Sequence, residues 1–284
     1  MSRRPQHERR PGSIPHRHHA APEAETKVTL GRVLKSEWIK FRSLRSTYWT
    51  LAAGIVLTVG FGALLCWAML DHFSQLHADE RASFNPTDHS LRGYYLAQMA
   101  IGVLGVLMFT GEYSTGMIRA TVSAVPKRLP VLWAKAIVFG VATWVVGTLS
   151  ALAAFFIGQA IFSSKHIGAS FSDPGVPRAV FGLGLYLTAI GLIAVGLGAL
   201  LRNTAAGIAS LFGMLLVLPL LVEALPSSWQ SNISPYLPGA AGGALFTLHG
   251  DANALSPWVG FGVLCIYVVA ALVGGATVLR RKDA

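Results

Sequence analysis

Few residues in this chain combine a reactive type with a usable spacing. His16, His18 and His19 stand close enough to share a metal ion, but they belong to residues 1–26, a stretch rich in Arg, His and Pro that lacks an apolar run. That stretch reads as a solvated, disordered tail and not as a secretory signal. Cys66 and Cys265 each fall inside an apolar stretch without His partners, so they read as packing residues. His72, His77, His89, His166 and His249 allow zinc binding or pH sensing, or are simply solvated loop residues. There is no G-x-x-x-x-G-K-[S/T] loop, nor any Gly-Lys pair, so the chain does not hold nucleotide phosphates in the P-loop manner. H-E-x-x-H and G-x-S-x-G are also missing, and no apolar stretch carries paired acids. No catalytic, cofactor-binding or metal residue is assigned, and the chain is expected not to be an enzyme.

One carboxylate is out of place. Leu30, Val33, Leu34, Trp38, Phe41, Leu44 and Tyr48 recur at three- and four-residue steps, which puts them on one helical face, with Arg32, Lys35 and Arg42 on the other. A basic amphipathic helix over 28–46, with Trp38 and Tyr48 at its wet edge, belongs in a membrane interface and turns into the bilayer at about Ser46. Glu37 projects into the apolar arc of this elbow, where an unpaired charge is costly. It needs a cationic or backbone partner, from the next cytoplasmic loop, unless it snorkels to water.

That loop, residues 111–128, reads Gly-Glu-Tyr-Ser-Thr-Gly-Met-Ile-Arg-Ala-Thr-Val-Ser-Ala-Val-Pro-Lys-Arg. Ser114 or Thr115 can cap a short helix whose Ile118, Thr121, Val122 and Val125 form a less polar stripe and which Pro126 ends. The result is a short membrane-parallel helix with an apolar ridge, Glu112 and Arg119 being placed to fix its seating; a charged loop resting on headgroups is the alternative. Pro and Gly repeatedly break residues 226–257, yet the second half stays apolar. Residues 240–248 form either a short re-entrant helix or a loop lying flat on the outer face.

The elements that must position these groups follow from where charge is missing. The chain has 284 residues, is 53% hydrophobic and 13% charged, and six windows that make up half of it contain no Asp, Glu, Lys or Arg. Such segregation is what a bilayer requires, since a charge at mid-membrane costs at least about 2.5–3.5 kcal/mol. The fold class is therefore an all-α integral membrane protein with six transmembrane helices at about 48–70, 93–111, 136–160, 179–201, 203–222 and 258–279. The fourth and fifth form a tight hairpin about Arg202. Small residues at four-residue steps, Ala205–Ala209–Gly213, Gly147–Ala151 and Ala270–Gly274, permit close helix contact. With the N-terminus inside, 14 Lys and Arg lie on the inner side against four outside (Arg81, Arg92, Lys165 and Arg178), before the tail is counted. This places both termini in the cytoplasm. The net charge of +10 then belongs to a face that meets anionic lipid headgroups, and no nucleic-acid partner is needed. No span carries the mid-membrane acid usual in proton- or sodium-driven carriers.

Lys35-Ser-Glu-Trp-Ile-Lys-Phe-Arg-Ser-Leu-Arg-Ser-Thr-Tyr-Trp-Thr50, followed after two spans by Gly111-Glu-Tyr-Ser-Thr-Gly-Met-Ile-Arg119, resembles the ABC-2 type permeases of bacterial ABC transporters and is similar to their actinobacterial members. The resemblance covers about 27–282 and includes Tyr236-Leu-Pro-Gly-Ala-Ala-Gly before the last span. It implies a multi-pass permease of the cell membrane with an elbow helix, a coupling helix between the second and third spans, and re-entrant outer helices. It also implies a second permease chain, making a homo- or heterodimer, and two copies of a separate ABC ATPase subunit that binds ATP and Mg. By the same resemblance Glu112, Tyr113, Ser114, Gly116, Ile118, Arg119, Pro126 and Arg128 form the ATPase-coupling surface. Glu37, Trp38, Lys40 and Arg42 lie in the elbow motif. The family usually has a polar residue after the proline at 238, where this chain has Gly239. Export is the family's leaning. The other class the residues allow is a membrane-anchored interaction or sensory protein that transports nothing.

Overall fold

The computed structural model describes residues 29–75, 77–114, 128–250 and 253–281. Among the described residues every regular element is helical, and six helices are long and apolar enough to cross a membrane: Arg45–His72, Pro86–Glu112, Leu129–Ser163, Val176–Leu201, Thr204–Glu223 and Pro257–Arg280, here the first to sixth spans. They fit a multi-pass membrane protein. A separate helix, Leu30–Ser43, precedes the first span. Leu44, extended at φ −81° and ψ 116°, makes the corner between them, two residues before Ser46.

The fourth span is the central column, packed against the second, third and sixth. Val180, Leu183, Tyr186, Leu187 and Ile190 on it are fully buried. Lipid is as apolar as leucine, so van der Waals fit is what holds such helices together. The first, fifth and sixth spans instead turn large apolar side chains outward, among them Trp49, Trp67, Leu220, Leu221, Trp258 and Ile266. Such a surface suits acyl chains and would be a liability in water. Of the small-residue steps in the sequence, Gly147 lies against Gly184 and Ala151 is buried. Ala205 and Ala209 face outward, and nothing approaches Gly213.

Helix ends follow local chemistry. The fourth span stops at Arg202, whose backbone is left-handed at φ 54°, and Asn203 caps the fifth by accepting from the Ala206 N–H. The fifth widens into a π turn over Gly213–Val217 just ahead of Pro219, which lacks the N–H that would bond the carbonyl four residues back. A second π turn, Leu57–Phe61 in the first span, meets Gly93 so closely that a Cβ there would overlap the Thr58 carbonyl. Three cations reach across to the carbonyl ends of helices: Lys165 to Leu70, Arg178 to Leu245 and Arg202 to Val278, at 2.9, 2.7 and 3.0 Å.

Between the fifth and sixth spans, helix Pro238–Gly243 is buried through Ala241, Gly242 and Gly243, and Leu245 and Phe246 behind it are buried too. Gly242 abuts the ring of Tyr186, ten residues into the fourth span, hence about 15 Å along it. Of residues 240–248, which the sequence leaves as either a re-entrant helix or a loop lying flat, those up to Gly243 are helical and packed against the fourth span.

Candidate functional site

Positions 33, 37 and 41 of the Leu30–Ser43 helix lie one above another and face the third span, whose residues 131, 135 and 139 are spaced alike. Val33 packs with Val131 and Ala134, and Phe41 meets Phe139 edge to face at 6.5 Å between centroids. Between these apolar contacts Glu37, only 2% exposed, accepts from the Lys135 ammonium at 2.7 Å. The apolar contacts above and below exclude water from the pair, which strengthens its attraction and raises the penalty for unpairing it.

Two further groups join the cluster. Lys135 Nζ also lies 2.7 Å from Glu112 Oε1, at the end of the second span. Lys40 Nζ lies 2.9 Å from the second oxygen of Glu37 and 3.2 Å from Glu112 Oε1. Among the described residues two carboxylates and two ammoniums thus meet, their charges in balance. Lys135 is 3% exposed, whereas Lys40 forms the edge toward solvent. Burial disfavours the Lys40 ammonium, but the hydrogen bond and charge of Glu37, joined by Glu112, outweigh it and hold its pKa above the ordinary lysine value. Two residues before Glu112, Thr110 accepts from the Thr204 hydroxyl at 2.8 Å and ties the end of the second span to the fifth as well.

The structure therefore joins three sequence-predicted residues, Glu37, Lys40 and Glu112. It corrects the option that Glu37 snorkels to water: its carboxylate is buried and doubly paired. Trp38 stacks on Phe41 but is 45% exposed, and Arg42 is exposed outside the cluster. The elbow's apolar stripe is divided: Val33, Leu34 and Phe41 turn to the protein, while Leu30, Trp38, Leu44 and Tyr48 point outward. Tyr113 and Ser114 are the last two residues of the helix Tyr94–Ser114, and Arg128 is the first of Arg128–Ser163. Gly116, Ile118, Arg119 and Pro126 lie outside the described residues, as does the short helix expected there. Lys135 is the member that sequence reasoning missed. Its signal was a lone lysine just ahead of a charge-free stretch, at a four-residue step from Val131 and Phe139.

Among the described residues no three His, Cys, Asp or Glu side chains gather as they would around a metal ion. Chemically the cluster can do one thing well: hold three backbone segments in a single arrangement that breaks cooperatively. Neither a protein-family model nor a curated protein matches the chain.

Proposed function

We propose that this chain is the permease subunit of an ATP-binding cassette exporter of the ABC-2 type, with both termini in the cytoplasm of a bacterial cell. It forms the translocation path with a second permease chain and is driven by two copies of a separate ATPase that binds ATP and Mg. The observation that carries the reading is the Glu37–Lys40–Glu112–Lys135 cluster. Glu112 lies two residues before the end of the helix that leads into segment 115–127, Lys135 lies two turns into the helix that follows it, and both are bonded to the elbow helix. A push on that segment from a soluble partner therefore moves the elbow and the second and third spans together. Closure of the ATPase pair then biases the membrane dimer between inward- and outward-facing arrangements by its differential contacts with each.

Affinity purification of the tagged chain from its native membrane in mild detergent, with mass spectrometry, tests this. A near-stoichiometric P-loop ATPase in the eluate is expected. An intact, monodisperse protein without one overturns the assignment and favours an anchored interaction protein. Arg119→Glu in the segment itself should lose the ATPase or uncouple it.

A further inference from the structure

At the end of the bundle away from the elbow, two anchors hold the chain that follows helix Pro238–Gly243. Arg178, in the first turn of the fourth span, donates to the carbonyls of Leu245 and Ala244 at 2.7 and 3.2 Å. Asp88, in helix Pro86–Leu91, accepts the N–H groups of Leu248 and His249 at 2.9 and 3.1 Å, one on each oxygen. Beside the second anchor, Asn85 Nδ2 lies 3.0 Å from Nδ1 of the His249 ring.

The orientation of the Asn85 amide is not free. Its oxygen caps helix Pro86–Leu91 by accepting from the N–H groups of Thr87 and Asp88 at 2.9 and 3.1 Å. The NH₂ group must then face His249, and being only a donor it requires a bare Nδ1 lone pair opposite. His249 is therefore fixed as the tautomer with its proton on Nε2. His89, nearby, takes the other tautomer, because its Nδ1 faces the Asn85 carbonyl at 3.1 Å. A proton added to His249 lands on the one ring nitrogen that an N–H already occupies, and Asn85 cannot turn over without giving up both bonds of its cap.

We propose that the Asn85–His249 contact is an acid-sensitive latch: protonation of His249 breaks it and frees residues 247–250 from helix Pro86–Leu91. Among the described residues, the charged or titratable groups in these contacts are Asp88 and His89 on that helix, Arg92 just after it and Arg178 on the fourth span; Asp251 lies outside the described residues. Arg178, with Nη2 3.5 Å from the Thr247 carbonyl, repels an imidazolium. Asp88 attracts one, yet both its oxygens already hold backbone N–H groups, so an imidazolium engages it only by displacing those of Leu248 and His249. Either response loosens the same two amides. The inference rests on these contacts and is independent of the transport reading.

Amide hydrogen exchange on the full-length protein in nanodiscs at pH 7.5 and 5.5, corrected for intrinsic rates, spans the range in which histidines generally titrate. Protection at Leu248 and His249 should fall about fivefold on acidification, the equivalent of one net hydrogen bond. His249→Gln keeps an acceptor that does not titrate and should hold protection constant. Asn85→Asp keeps the helix cap but presents a carboxylate to the ring, so its protection should rise as pH falls. Unchanged protection in the parent protein, or an equal loss in His249→Gln, overturns the latch.

Discussion

The Lys135 ammonium lies 2.7 Å from Glu37, 98 residues earlier in the chain, and 2.7 Å from Glu112, 23 residues earlier, with almost no access to water. Removing one partner from such a group leaves an uncompensated buried charge, whereas removing an oppositely charged pair does not. Lys135→Met should destabilise the protein by about 3–5 kcal/mol, since two carboxylates would then face each other with only Lys40 between them. Adding Glu37→Leu should recover most of that loss, because Lys40 and Glu112 remain as a pair. Apparent Tm values in detergent for the singles and the double form the cycle. Additive losses would mean that the groups are neighbours without being coupled.

Alkaline pH probes the cluster from its solvent edge. The Lys40 ammonium is stabilised in the folded protein, so its folded pKa stands above its unfolded one. Its contribution is fully present below the ordinary lysine pKa of about 10.4 and disappears as pH rises through the folded value. The Tm gap between the parent protein and Lys40→Gln should stay constant from pH 7 to 10 and shrink above that. A gap that closes below pH 9 would show that some other group carries it.

The periodicity of the elbow and the misplaced carboxylate at Glu37 were legible because each is a local signal. The six spans were legible because a bilayer separates charge from hydrocarbon over some 20 residues at a time. Lys135 was not. The third span begins well before the charge-free stretch starts, and only the packing of a helix about a hundred residues away shows that this lysine is buried. The outward-facing Ala205–Ala209 step has the same limit: small size permits a contact but does not choose the partner. The contacts made by Asp88 and Arg178 join segments 66 to 161 residues apart, beyond what pattern can resolve.

If the cluster transmits movement, weakening it should dissociate two activities that otherwise run together. Glu112→Gln keeps the shape of the side chain and leaves Lys135 paired with Glu37. In the purified complex the ATPase should stay bound and hydrolyse ATP, while solute moved per ATP should fall about tenfold, within the usual range of coupling free energies. Equal transport per ATP would assign the cluster to stability alone.

Arg178 holds the chain just after helix Pro238–Gly243 through the carbonyls of Ala244 and Leu245. Arg178→Met keeps the stem and strips the donors, leaving these acceptors underused at a cost of about 1–3 kcal/mol. Cysteine labelling at position 246, buried in the parent protein, should accelerate in this variant. A rate equal to that of the parent cysteine variant would show that packing alone keeps the segment in place.

Gly242 tests the depth of that segment. Its Cα faces the Tyr186 ring so closely that an added Cβ must displace the ring or the backbone, and Leu264 closes the other side. Tyr186 is fully buried, its hydroxyl donates to the side-chain carbonyl of Gln98, and its ring packs against Tyr94 and Phe246, so it has no open space to move into. Gly242→Ala should therefore destabilise by about 1–3 kcal/mol as an overpacked site, although alanine is the better helix former. Gly239→Ala, three residues earlier and with nothing within 4 Å of an added Cβ, should be neutral or slightly stabilising in the same Tm measurement. Equal Tm values for the two variants would place helix Pro238–Gly243 away from the fourth span.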